Sequence, residues 1–407
     1  MKRGSEGEGM SRFRFSPGSV IFLTIFIDMT GFGMIIPLIP FFADTFQVGA
    51  TGIGVLMASF SLMQFIFSPI LGRVSDSVGR RPILLLSLLI SCVSFILFTF
   101  ADSFVILLLS RIIAGLATEI TVARAYIADI TSEEERTKGM GRIGAAFGAG
   151  IIVGPAIGGF LSIYGFWAPG SAAVALTLVN LVSVFLFLPE SMTPSQRRVK
   201  VSVNSFTGIF RSLLHAFMVP LLGIVLVIYF LEEITHSTVA IIMPLLGIAF
   251  FDLQPFEMSY IFMYIGVIQI LLQGVAMGRI SRTLSDEKLV IVGLLLVVGG
   301  MLTLPFSPGI VFFLLLTAVM SSGMGILSTV IPSFISKKAP PREQGGVLGI
   351  THSVSSIARI FGPPLGGVMF DYAGVASPFF FNVCLLLGAV GLSVKVMKTE
   401  NKMKVRT

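Results

Sequence analysis

Seven charged side chains fall well inside long apolar stretches of this 407-residue chain: Asp28, Arg111, Glu119, Arg124, Glu232, Glu233 and Arg359. A charge placed within a bilayer costs a few kcal/mol, about 3, unless it is neutralised, paired or hydrated. Acids kept there are suited to taking up and releasing a proton or binding a cation, and arginines to tuning an acid or holding an anion. Asp28 lies about 15 Å from the start of its stretch at 1.5 Å per helical residue. A structural hydrogen bond to a neighbouring helix would use the same carboxylate. Glu232 and Glu233 are adjacent, so they cannot face one point. Glu119 is expected two turns beyond Arg111, with Gly115 between, all on roughly one face, and Arg111 at a depth near that of Asp28. That face reads as a coupling surface, and equally as a static buried ion pair. Glu233 is expected to pair with a neighbour or with His236, one turn on. Arg124 is near enough to a membrane edge to snorkel. Arg359 is either a cavity cation or the partner of an acid such as Glu232.

The elements that carry these residues follow from composition. The chain is 55% hydrophobic and 12% charged, with a mean hydropathy of +0.95. A soluble protein carries about twice that charge fraction. Twelve apolar runs are near the roughly 20 residues a membrane helix needs. They span about 18–40, 50–72, 82–101, 104–127, 139–164, 168–188, 219–246, 257–278, 288–306, 310–335, 346–370 and 376–396. Barrel strands would be shorter and alternating, so the fold class is an all-α membrane protein. Of the 28 Lys and Arg, 25 fall in turns and tails on one side of these spans and none on the other. The net charge of +7 therefore marks topology, with both termini cytoplasmic, and not a nucleic-acid surface. The expected location is the inner or plasma membrane, as a multi-pass protein in the lipid bilayer. Cys92 and Cys384 lie in spans and read as small packing residues, and no metal-ligand spacing is present.

The chain repeats itself at half length. A polar segment, 189–218, divides 1–188 from 219–407, giving two pseudo-symmetric six-helix bundles joined by a cytoplasmic linker. Gly154-Pro155-Ala156-Ile157-Gly158-Gly159 is echoed by Gly362-Pro363-Pro364-Leu365-Gly366-Gly367. Asp28 and Pro40 are separated by 12 residues, as are Glu232 and Pro244. Repeated halves with a site between them near the midplane are a common transporter design. The basic hairpin Gly72-Arg73-Val74-Ser75-Asp76-Ser77-Val78-Gly79-Arg80-Arg81-Pro82 sits between two spans, and Gly278-Arg279-Ile280-Ser281-Arg282 sits similarly half a chain later. Gly72 and Gly79 permit close approach and a tight turn, and Asp76 can cap a helix or pair with arginine. Gly150, Gly154 and Gly158 make a small-residue stripe, Pro155 can bend the helix, and static packing and a sliding hinge would use the same residues. Ser132 and Glu135 have capping-box spacing. Phe26, Gln64, Tyr229, Phe230, His236, Tyr260, Gln269 and Gln273 lie near the central acids or are polar enough to line a cavity.

Three motifs carry a family resemblance over nearly the whole chain: the Gly72…Asp76…Gly79-Arg80-Arg81 turn, Arg111-Ile112-Ile113-Ala114-Gly115 followed by Ala125-Tyr126-Ile127-Ala128-Asp129, and the glycine-rich run ending at Gly159. On these the chain resembles the major facilitator superfamily and, within it, the twelve-helix drug–proton antiporters of the tetracycline-efflux kind. Between Gly115 and Asp129 it departs from their pattern by carrying Glu119 and Arg124. The resemblance implies a monomer that exports a small amphipathic or cationic compound in exchange for protons. It also implies that Arg111 tunes a nearby carboxylate, that the Asp76 turn latches the two halves at the cytoplasmic face in the outward-open state, and that the glycine-rich run is an antiporter motif. A proton-linked carrier of a sugar, amino acid or organic anion stays open as the alternative. No cofactor is implied, because no Gly-rich Lys-Ser/Thr phosphate loop is present. No Ser/His pair or His/Asp metal cluster suggests an enzyme.

Overall fold

The computed structural model describes residues 16–193, 217–219, 221–338 and 344–404, and every regular element among them is helical. Twelve long helices run in chain order. The first half holds α1 (Pro17–Asp44), α2 (Ala50–Val78), α3 (Arg80–Thr99), α4 (Phe104–Ile130), α5 (Glu133–Ser162) and α6 (Trp167–Phe187). The second holds α7 (Leu222–Phe251), α8 (Pro255–Thr283), α9 (Asp286–Phe306), α10 (Ile310–Lys338), α11 (Gln344–Ala373) and α12 (Ser377–Lys404). Among the described residues 11 helices are long and apolar enough to cross a membrane. The twelfth, α11, has 30 residues, about 45 Å of helix. It is more polar because His352, Ser355, Ser356 and Arg359 punctuate it. Most of the linker, 194–216, lies outside the described residues.

Several helices outrun their apolar cores. The basic hairpin expected at Gly72–Pro82 is almost entirely helical: α2 continues to Val78, α3 starts at Arg80, and Gly79 alone makes the turn. Gly79 adopts φ 119°, a conformation that other residues rarely take. Polar residues can extend a helix beyond the bilayer because water satisfies whatever the helix does not. The same holds at Gly278–Arg282, which lies in the last turns of α8 after a π-helical segment, Leu272–Ala276. α4 is interrupted instead. Its first segment ends at Leu116, Ala117 and Thr118 leave the helical conformation, and a second segment starts at Glu119.

Packing repeats between the halves. A side chain at Gly150, Gly154 or Gly158 would strike the α1 backbone near Phe26, Thr30 and Met34, so the stripe with Pro155 seats α5 tightly on α1. Gly362 and Gly366 seat α11 on α7 in the same way, against Ile234, Ser237 and Thr238. The next glycine in each run points across to the other half: Gly159 meets Ser259 of α8, and Gly367 meets Ala50 of α2. One hydrophobic core gathers residues from Leu222 to Val396, and two others gather residues from Val20 to Leu188, with Ile241 joining one of them.

The halves meet unevenly. We call the end that carries α1's start and α12's end the basic end, and the other the distal end. Near the distal end, α2 packs on α11 and α5 on α8. Along the α5–α8 pair the fit loosens toward the basic end. A Cβ on Gly266 would press on Ile152 at 2.8 Å and one on Gly148 would touch Ile270 at 3.6 Å, while Gly141, Gly144, Gly274 and Gly278 face open space. The two bundles are therefore closed together distally and splayed at the basic end.

Two helices that begin after glycine are capped by acids from elsewhere. α3, after Gly79, has the N–H groups of Arg80 and Arg81 bound by Glu190 at 2.9 and 3.3 Å. α2, after Gly49, has those of Ala50 and Thr51 bound by Asp371 of α11 at 2.9 and 2.8 Å. The first cap comes from the start of the linker that follows the same half, and the second from the opposite half.

Candidate functional site

Asp28 is 7% exposed midway along α1, among Thr24, Ile27, Met29 and Thr30. The interruption of α4 puts Glu119 at the first position of its second segment, where the helix dipole favours an anion. Glu119 is also buried and accepts a hydrogen bond from Ser91 Oγ of α3 at 2.7 Å. Asp28 and Glu119 lie within electrostatic reach of one another. Each stands about 11 residues, or roughly 16 Å, from the basic end of its helix. Two buried carboxylates this close repel when both are ionised, and a proton on either relieves the repulsion.

Arg111 is elsewhere. It is 2% exposed, its guanidinium lies 5.5 Å from the centre of the Phe98 ring, and its Nε donates to Ser110 Oγ at 3.3 Å. One terminal nitrogen has no hydrogen-bond partner, and none of the ion pairs among the described residues involves Arg111. The expected common face of Arg111, Gly115 and Glu119 does not form. The break at Ala117–Thr118 disrupts the helical register, and Arg111 stands eight residues, about 12 Å, closer to the distal end. Gly115 serves packing: a Cβ there would strike Phe60 and Met63 of α2.

In the second half, Glu232 is 4% exposed while Glu233 is half-buried. Glu233 accepts from Ser355 Oγ of α11 at 2.7 Å, and Tyr229 is within hydrogen-bonding reach of both. That partner replaces His236, which is exposed. Tyr229 is 8% exposed within the second-half core, with Phe230 packed against it. Arg359 is half-buried and donates to Ser356 Oγ at 3.4 Å. His352, two turns before it on the same face of α11, is within electrostatic reach of Arg359, Glu233 and Arg124 of α4. Arg124 and His352 are both exposed. Gln64 and Phe26 are half-buried in the first half. Gln269 is half-buried, Tyr260 is exposed, and Gln273 bonds Ser328 Oγ at 3.2 Å.

The glycine-turn motif forms a network within the first half and the start of the linker. Arg80 reaches Asp76 at 2.6 Å, Asp129 at 2.9 Å and Ser75 Oγ at 2.6 Å. Ser191 Oγ donates to Asp129, and Tyr126 donates to Pro189 O at 2.8 Å. Arg81 lies over the Phe185 ring. Gly72 faces Thr121 of α4 at ordinary contact distance. Among the described residues this network reaches no side chain of the opposite half, as a latch expected only in the outward-open state allows while the basic end is splayed. Sequence reasoning passed over Ser91, Ser355, His352, Glu190 and Asp371. For Asp371 one signal existed: α2 starts after Gly49, with no Ser, Thr, Asp or Asn to cap it.

The Major Facilitator Superfamily model matches residues 21–310 and 225–406. The chain belongs to that superfamily. Multidrug resistance protein 2 of Bacillus subtilis (strain 168) is 28% identical to this facilitator over 386 residues, 94% of this chain and 95% of that one. The class E tetracycline resistance protein of Escherichia coli is 33% identical over 348 residues, 83% and 84% of the two chains. The crystal structure of the human organic anion transporter MFSD10 (TETRAN) superimposes with a TM-score of 0.70 at 23% identity, covering 92% of this facilitator and 98% of that chain. This facilitator is thus a multi-pass membrane transporter.

Proposed function

We propose that this facilitator exports a small amphipathic or cationic compound in exchange for protons by alternating access. The observation that carries the reading is the Asp28–Glu119 pair, two buried carboxylates on α1 and α4 within electrostatic reach. Relatives named for multidrug and tetracycline resistance support export of drug-like compounds. We read the basic end as cytoplasmic from its lysines and arginines, and 1–188, 189–218 and 219–407 as bundle, linker and bundle. Substrate then enters between the splayed bundles from the cytoplasm. Its arrival makes ionisation of the pair favourable, and one proton leaves Asp28 or Glu119. The bundles rock, substrate departs outside, and a proton taken up there resets the pair. Arg111 contributes a buried positive charge to the same half. We take the protein to act as a monomer in the cell membrane.

The test uses proteoliposomes loaded with a pH dye and exposed to lipophilic cations, tetracycline-like compounds and organic anions. Wild type is expected to show substrate-driven proton movement and Asp28→Asn to lose it. Movement that survives in Asp28→Asn and in Glu119→Gln would remove the pair from the mechanism.

A second reading, transport of an organic anion, is favoured by one observation. Arg124 of the first half lies within electrostatic reach of His352, which shares α11 with Arg359 in the second half, so cationic groups of both halves converge there. For an anionic substrate Arg359→Gln should abolish uptake into the assay. For a cationic one it should leave uptake intact.

A further inference from the structure

α2 leaves its first backbone N–H groups without a local partner. Its cap residue is Gly49, which has no side chain to accept them, and only Gly52 and Ile53 find the Gly49 carbonyl. The missing acceptor comes from 321 residues away in sequence. Asp371 Oδ1 takes the Ala50 N–H at 2.9 Å, and Oδ2 takes the Thr51 N–H at 2.8 Å and the Thr51 hydroxyl at 2.7 Å. A Cβ at Gly49 would stand 2.8 Å from that Oδ2, so glycine is what lets the carboxylate dock. Below it the two helices touch through their backbones, Gly54 against Pro363 and Pro364, and Gly367 against Ala50. Hydrogen bonds to an ionised acceptor are shorter and stronger than neutral ones.

We infer that Asp371 is a cross-bundle latch: it caps α2 in trans and holds the distal ends of the two halves shut while the basic end is open. Rocking the bundles apart at the distal end breaks all three bonds together. Doing so leaves α2 uncapped and the carboxylate alone, to be met only by incoming water. The latch works on the conformational equilibrium and touches neither substrate nor proton. It takes from the proposed function only the idea that the distal ends separate at some stage.

The test measures distal opening directly, without substrate. Cys92 and Cys384 are replaced, spin labels are placed at Asp102 and Ser307 on the distal loops of opposite halves, and distance distributions are recorded by electron–electron resonance in nanodiscs. Wild type is expected to be mainly in the short-distance state. Asp371→Ala is expected to raise the long-distance fraction several-fold. Removing a cap can also weaken a helix locally, so a second variant separates the two effects. Gly49 has φ −65° and ψ 173°, a geometry that serine accepts as an N-cap. In Asp371→Ala with Gly49→Ser, α2 is capped by its own chain, and the Tm should return toward wild type while the long-distance fraction stays high. An unchanged distribution in Asp371→Ala would overturn the latch. So would a double variant that regains the short-distance state, since helix capping alone would then be the role. Proton exchange enters neither readout, so a failure of the antiport reading would leave this result standing.

Discussion

At the scale of single residues, the site depends on groups that hold the acids as much as on the acids. Ser91 donates to Glu119 from α3, and a hydrogen bond to a charged group contributes about 1.5–3 kcal/mol. Ser91→Ala is expected to slow substrate-driven proton movement several-fold with little change in Tm, and Ser91→Thr to restore much of it. Stopped-flow dye kinetics would check both. Asp371 behaves differently because it sits at the distal end of its helix. Burial works against its ionisation, but the Thr51 hydroxyl and the N–H groups of Thr51 and Ala50 outweigh that and hold the carboxyl below its ordinary value. A depressed carboxyl contributes fully above the ordinary carboxylate range and loses its contribution only as pH falls through the depressed value. The difference in long-distance fraction between wild type and Asp371→Ala should therefore stay constant from about pH 8 to about pH 5, and a difference that fades above pH 5 would contradict this.

Elements were legible to the degree that their causes are local. Run length alone located the spans, because crossing a bilayer requires a stretch of fixed length within one segment. The Gly150, Gly154 and Gly158 stripe and the Gly79 turn were readable for the same reason. The break in α4 was not, since Ala117 and Thr118 bear no proline or glycine and the helix parts under tertiary contacts, including Thr118 N–H to Ser87 Oγ at 3.4 Å. Nor could the partners of Glu119, Glu233 and Asp371 be read, because each comes from another helix. Depth along α1 did place Asp28, and its match with Glu119 follows from counting residues once the break is known. Among the elements, the α1–α5 seam is the most exacting. Gly158→Leu would drive a side chain into the Met34 backbone, and overpacking of this kind costs about 1–3 kcal/mol. A Tm several degrees lower in detergent is the expected outcome.

Over the whole molecule, the two halves share one plan with different electrostatics. The first buries paired acids, Asp28 and Glu119, and the second lines its facing helix with Ser355, His352 and Arg359. Arg359→Gln is the variant that tells which charge the substrate carries, through radiotracer uptake compared for a cation and an anion. One feature of α8 bears on a different property, the tolerance of the chain to changes in length. Its π segment at Leu272–Ala276 holds one residue more than a regular helix would use over the same rise. Deleting a residue from most membrane helices rotates everything beyond it by about 100°. Deleting Gly274 should instead convert the segment to ordinary helix, leave Arg279 and Arg282 on their original faces, and give a protein that inserts and melts near wild type. Deleting Ile268, one turn earlier in regular helix, should not. The gene can therefore shorten by one codon at this point of α8 without loss of the fold.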